Sequence, residues 1–309
     1  MFKRILVPLD GSGRAERAIL VAAKLAHTSG AAITLLRVID TSPASSPSAA
    51  AKPILIQTVS ETDIRMAQSY LDALAASDTL AHIHVETQAI AGLIAPTILT
   101  EAATRQIDMI VLCSHGLTGI SHWALGSVAE KVARYGATPT LVLREGDSVP
   151  TMEAANGATS VRVLVPLDGS PHSEAALAPA AQLAAALAAP GQGALHLLHV
   201  VKPDTQRSAA STNMAKQYLD ATINSLHNET DSSGIVNLTF TSSVASSSDI
   251  AHTIIQEAEH GKEGATDIIA MTAYGNNGPQ HWALGSVTER VLHATSLPLF
   301  IVQPPPVRA

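Results

Sequence analysis

Cysteine is nearly absent from this chain: Cys113 is the single one in 309 residues. One thiol cannot close an internal disulfide, so stability must come from packing, and a reducing compartment is expected. Aromatic residues make up 3% and charged residues 15%. The cores must therefore be aliphatic and rich in alanine, and so little charge argues against a disordered chain. No long basic run occurs, and 19 basic against 26 acidic side chains leave a net charge of −7. The electrostatic footprint of a nucleic-acid binder is missing. No uninterrupted apolar run is long enough for a bilayer; the alanine-rich stretch 175–189 is broken by Pro179 and Gln182. A strand pattern begins at Lys3, which leaves no room for a signal peptide, so a cytoplasmic protein without membrane contact is expected. GxxxxGK[ST] is also missing, and with it the lysine of a P-loop.

What is present is a 46% hydrophobic sequence, long enough for two ordinary domains. Short apolar runs alternate with helical patterns. The first copy reads as strand 3–10, helix 14–28, strand 31–40, a Pro/Ser/Ala-rich loop 41–53, helix 58–77, strand 80–90, helix 93–106, strand 107–112, helix 127–135 and strand 138–144. A polar segment, 146–160, reads as a linker. Then the order restarts: VRVLVPLDGS at 161–170 repeats KRILVPLDGS at 3–12. The offset is 158 at the aspartates (168 − 10) and 159 at the later Gly-Ser pairs (285 − 126). The second copy predicts helix 171–188, strand 193–201, helix 209–228, strand 235–244, helix 249–260, strand 266–271, helix 286–294 and strand 297–302. The chain is one unit written twice, as domains 1–145 and 161–303.

Strand–helix alternation with strongly apolar strands predicts an α/β fold, a doubly wound parallel sheet with helices on both faces. Ligands of such sheets sit beyond the carboxyl ends of the strands. Asp10 and Asp168 end the first strand of each copy. The stretches Cys113–Ser127 and Thr272–Ser286 follow each fourth strand, and in both a Gly-Ser pair opens a helix. A first helical turn has backbone N–H groups without intrahelical partners and the positive end of the helix dipole, which together suit phosphate.

On these residues the chain resembles the universal stress proteins, here as two domains in tandem. Nucleotide-binding members carry Gly-x2-Gly-x9-Gly-Ser/Thr after strand four. The chain has Cys113-x2-Gly116-x9-Gly126-Ser127 and Thr272-x2-Gly275-x9-Gly285-Ser286, so the first glycine of the pattern is replaced in both copies. VPLDGS, TLLRVID and LHLLHVV are also similar to the family's strands one and two. The resemblance implies two five-stranded Rossmann-like domains of the adenine nucleotide alpha hydrolase type, strand order 3-2-1-4-5. It also implies fifth strands paired as an internal pseudo-dimer, with a homodimer as a further assembly. ATP with Mg²⁺ is the implied ligand, with AMP or ADP as variants. Pro8, Leu9 and Asp10 would line the adenosine end with Val38 beside adenine, while Cys113, Gly116, Gly126, Ser127 and Val128 would surround the phosphates. The second site would use Pro166, Leu167, Asp168 and Val200, then Thr272, Gly275, Gly285, Ser286 and Val287. Asp10 and Asp168 could take the ribose hydroxyls or serve as ligands to nucleotide-bound Mg²⁺.

Plainer readings stand beside these. Asp10 and Asp168 could cap the helices that follow them. GSGRAE is a broken GxGxxG, with Glu16 in the last place and Pro171 in the second copy, so a dinucleotide fingerprint is not expected. His82 and His84 read as surface strand residues without a third ligand. His115 is matched by Tyr274, which argues against a shared catalytic role. Trp123 and Trp282, in equivalent places, read as packing for the loops, and Cys113 as an inert thiol. Functionally the first expectation is an ATP-binding regulatory stress protein. The alternatives are a non-nucleotide scaffold or chaperone-like module of the same fold, and a slow ATP hydrolase.

Overall fold

The computed structural model describes residues 1–42, 59–114, 125–144, 160–203, 208–233, 237–261, 264–275 and 284–304. His115, Gly116, both tryptophans, and most of the 41–53 loop and the 146–160 linker lie outside them. The first repeat runs β1 (Arg4–Leu9), α1 (Gly13–Ser29), β2 (Ala32–Asp40), α2 (Glu61–Ala75), β3 (Val85–Gly92), α3 (Ile94–Thr104), β4 (Met109–Cys113), α4 (Ser127–Tyr135) and β5 (Thr140–Leu143). The second runs β6 (Val161–Leu167), α5 (Pro171–Glu174), α6 (Leu177–Ala188), β7 (Gly193–Val201), α7 (Ser208–Ser233), β8 (Leu238–Ser246), α8 (Ile250–His260), β9 (Ile268–Thr272), α9 (Ser286–Ala294) and β10 (Leu299–Val302).

All ten strands form one sheet in the order β3-β2-β1-β4-β5-β10-β9-β6-β7-β8. Each half has the expected order 3-2-1-4-5, and its strands are parallel; β1 pairs with β2 from Arg4↔Ala32 and with β4 at Ile5↔Met109. The halves meet where β5 and β10 pair antiparallel, Leu299 opposite Val142 and Ile301 opposite Thr140. Central strands are covered on both faces, which is why they read as unbroken apolar runs. Ile5, Leu6 and Val7 have no exposed surface. Burying one such side chain contributes about 1.5–3 kcal/mol. Alternate residues of each strand feed two layers. Ile5 and Val7 face the layer with α1, α2, α6 and α7 residues such as Leu25, Leu71, Leu183 and Leu219. Leu6 faces the layer that holds Ile98 of α3, Val132 of α4, Ile254 of α8 and Val291 of α9.

The seam between repeats is built from both layers. Phe2 meets Phe300 edge to face at 6.2 Å, and Phe300 is fully buried. Thr28 Oγ1 donates to Ala186 O at 3.0 Å and Lys24 Nζ to Ala189 O at 2.5 Å, tying α1 to the end of α6. Buried Arg144, just past β5, donates to Leu292 O of α9. Removal from water lowers its guanidinium pKa to about 10.

Three expected elements differ, one of them only in that α7 runs to Ser233 rather than 228. The predicted helix 171–188 breaks into α5 and α6. Ser170 caps α5, but Ala175 and Ala176 then bond only three residues back, to His172 and Ser173. Pro179 explains the break. It has no N–H for the carbonyl of Ala175, and its ring would clash with that carbonyl in a continuous helix. The strand predicted at 80–90 begins instead at Val85. Asp78–Leu80 form a 3-10 turn pinned by buried Leu80, and His82 has φ 65°. His82 and His84 therefore precede the strand; both are exposed, and His84 lies 3.6 Å from Glu86. Among the described residues no helix is long and apolar enough to cross a membrane.

Candidate functional site

Each repeat has a cavity at the carboxyl edge of its parallel strands, about 260 Å³ in the first and about 310 Å³ in the second. One lip is the β1–α1 turn. Asp10 Oδ1 accepts from Ser12 N at 2.9 Å and from Ser12 Oγ at 2.6 Å, and Ser12 Oγ accepts in turn from Ala15 N at 3.2 Å. The second copy repeats this: Asp168 Oδ1 accepts from Ser170 N and Oγ at 3.0 and 2.5 Å, and Ser170 caps Ser173 N at 3.2 Å. The capping role proposed for the aspartates thus belongs to the serines two residues on; Asp10 and Asp168 steady them. The turn needs Gly11, which has φ 89° and lies where a Cβ would press on the Arg37 guanidinium at 3.0 Å.

The opposite lip is a helix start. Gly126 is the N-cap of α4 and Gly285 of α9, and neither supplies a side-chain cap bond. Their own N–H groups are used in pinning the helix to the strand end, Gly126 N to Ser114 O at 2.7 Å and Gly285 N to Ala273 O at 2.8 Å. The first N–H to bond within each helix is that of Glu130 to Gly126 O, and of Glu289 to Gly285 O, both at 2.9 Å. Ser127, Val128 and Ala129 come before it in one cavity, and Ser286, Val287 and Thr288 in the other, and all six line the cavity walls. Those first-turn donors have no intrahelical partner, so each cavity combines an anion-attracting wall with a carboxylate on the facing lip.

The structure gathers the residues singled out from the sequence. Pro8, Leu9, Asp10, Val38, Cys113, Gly126, Ser127 and Val128 all line the first cavity. Pro166, Leu167, Asp168, Val200, Thr272, Gly275, Gly285, Ser286 and Val287 all line the second. Gly275 packs so closely on Asp168 that a Cβ there would fall 2.2 Å from Oδ2. Cys113 and Thr272, where the glycine pattern is broken, end β4 and β9 and are not among the residues with left-handed φ. Their side chains cost no backbone strain. Cys113 Sγ donates to Arg14 O at 3.0 Å; Thr272 Oγ1 donates to Tyr274 O at 3.0 Å, and Thr288 Oγ1 to Thr272 O at 2.9 Å.

Sequence reasoning missed the apolar floor. Ile94 and Ile98 of α3 close the first cavity, and Ile250 and Ile254 of α8 the second, with Leu36 and Leu198 beneath. An apolar pair four residues apart at the start of the helix after strand three, present in both copies, was the available signal. Tyr274 was weighed only against histidine; it lines the second cavity and packs against His172 at 5.5 Å. Behind the lips, Tyr70 donates to Glu16 at 2.8 Å and Tyr218 to Glu174 at 2.8 Å. Burial first, then the carboxylate partner, raises both phenol pKa values. Arg37 stacks on Tyr70 at 4.9 Å, whereas the second copy places His199 against Tyr218 at 5.8 Å. Burial holds His199 below the usual imidazole range, against the opposing pull of Asp168. Among the described residues there is no group of three or more His, Cys, Asp or Glu able to hold a metal alone.

A 3-2-1-4-5 parallel sheet with a cavity between a strand-one aspartate and a glycine-capped helix defines a doubly wound α/β domain with a cleft at its carboxyl edge, and this chain fuses two. The chain belongs to the universal stress protein family, whose model matches residues 1–144 and again 160–303. A universal stress protein of Methanocaldococcus jannaschii is 28% identical over 145 residues, 47% of this chain and 84% of that protein. One from Bacillus subtilis is 26% identical over 160 residues, 47% of this chain and the whole of that protein. The crystal structure of a universal stress protein from Archaeoglobus fulgidus spans 97% of this chain and 98% of its own, with a TM-score of 0.59 at 20% identity.

Proposed function

We propose that the chain is a nucleotide-binding regulatory protein of the stress response that holds an adenine nucleotide in each repeat. ATP with Mg²⁺ is the primary ligand, and AMP or ADP enter by the same contacts. The observation that carries this reading is the pair of glycine-capped helix starts. Their first-turn donors face a cavity, and among the described residues no side-chain cap is made at either helix start. Phosphate would lie on Ser127 and Val128, or on Ser286 and Val287, where backbone N–H groups and a hydroxyl converge. The apolar floor of isoleucine and leucine, with Val38 or Val200, suits the flat face of a base. Asp10 and Asp168 supply one carboxylate each, to the ribose or to Mg²⁺ carried by the phosphates, which is the protein share such a magnesium takes. Among the described residues lining either cavity there is no lysine, arginine or histidine. The reading is therefore retention rather than turnover: occupancy biases the protein between two states to which nucleotide binds unequally.

Denaturing the purified protein and identifying the released small molecules by mass spectrometry tests this directly, backed by calorimetric titration with MgATP. Adenine nucleotide approaching two per chain is expected. Gly126→Val should weaken the first site by roughly tenfold or more, because it blocks hydrogen bonds to a charged group. The second site should stay within about five-fold of its original affinity. Neither retained nor added nucleotide bound would favour the scaffold reading instead.

A further inference from the structure

The two cavities have separate walls but share one cation. Glu130 and Glu289 are the residues at which α4 and α9 make their first internal hydrogen bond, directly after the first-turn donors that line each cavity. Arg134, in the last turn of α4, reaches both. Its Nη2 lies 3.3 Å from Glu130 Oε1 and 2.5 Å from Glu289 Oε1 in the other repeat. One guanidinium nitrogen is thus divided between two carboxylates. Each carboxylate's residue stands three positions past the helix start of its own cavity, on the order of 5 Å along the axis.

We infer that Arg134 couples the two sites, so that an anion bound at one helix start weakens binding of an anion at the other. The inference rests on the nucleotide reading above. The sign follows from counting charge. A phosphate at the start of α9 brings negative charge close to Glu289 and makes that carboxylate more demanding of its cation. Arg134 then sits more fully on Glu289, and the longer contact to Glu130 gives way. Glu130 is left uncompensated one turn from the start of α4, where its charge opposes a second phosphate. Filling the first site acts in reverse, drawing Arg134 toward Glu130 at the expense of Glu289, as linkage requires. A charge near a helix terminus shifts binding there by roughly two- to five-fold at low salt, which sets the size of the effect. The pseudo-equivalent of Arg134 is His293 (293 − 134 = 159, the repeat offset), an exposed residue of α9. The second copy therefore places no permanent cation at the matching position.

The test is calorimetric titration of the full chain with MgATP at low and at physiological salt. Gly285→Val closes the second site and reports the first site alone. In the wild type, the first site should be roughly two- to five-fold weaker when the second is filled than in Gly285→Val. Arg134→Gln and Glu289→Gln should each abolish that difference while both sites still bind. Both substitutions alter partly exposed side chains, and circular dichroism of each variant checks that the fold is retained. Added salt should shrink the difference in the wild type. Two sites that fill independently in the wild type, or a difference that survives in Arg134→Gln, would overturn the coupling and leave nucleotide binding standing. A wild-type chain that binds no MgATP overturns the nucleotide reading, and the coupling with it.

Discussion

At the scale of single residues, Gly275 and His199 have consequences that can be measured. Gly275 lies on the Asp168 carboxylate, whose other oxygen is held by Ser170 N and Oγ. Gly275→Ala must push that carboxylate off its partners. A loss of about 1–3 kcal/mol in unfolding free energy is expected, read by urea denaturation. Adding Asp168→Ala should recover part of it, since the clash needs both side chains. A fully additive double mutant would show that the contact is not the cause. His199 makes a pH prediction. Its Nδ1 is buried with no hydrogen-bond partner among the described residues, and burial depresses its pKa. As pH falls through about 6.5 the unfolded chain takes up this proton before the folded one does, so stability is lost on acidification. The wild-type urea midpoint should therefore fall faster than that of His199→Gln between about pH 7 and 5. Parallel curves would remove His199 from the account.

At the scale of elements, most of the architecture could be read from the sequence, because parallel strands buried on both faces announce themselves as short apolar runs. The duplication did the rest. Comparing copies isolated the β1 aspartates and the Gly-Ser helix starts, and the structure brings these together around the two cavities. What escaped was whatever depends on partners distant in sequence. Ile94 and Ile250 look like ordinary amphipathic positions until the helix is seen to roof a cavity. The break between α5 and α6 was legible in principle, since Pro179 stands four residues after Ala175, but fifteen residues rich in alanine outweighed it in the reading. The capping alternative for the aspartates stayed open because Asp and Ser compete for that role. Only geometry shows that Ser12 and Ser170 take it.

For the whole molecule, the seam decides whether the repeats behave as one body. Its strand pairing, between β5 and β10, is short, so side-chain contacts carry much of it. Two of the chain's three phenylalanines, Phe2 and Phe300, are committed to it, one from each repeat. Phe300→Ala should cost about 3–5 kcal/mol, the range for deleting a buried ring. Because the ring packs across the seam, unfolding followed by circular dichroism should shift as a whole. A loss below about 1 kcal/mol would mean that the seam does not pack as described.

The antiparallel join of β5 to β10 also sets a direction. Strands within each half run parallel, so reversing the sense at the seam turns the carboxyl edge of one half away from that of the other. The two mouths therefore open toward opposite rims of the ten-stranded sheet. A molecule docked on one rim cannot touch a ligand held at the other. Two molecules bound at opposite rims would stand back to back, with the sheet as the spacer between them.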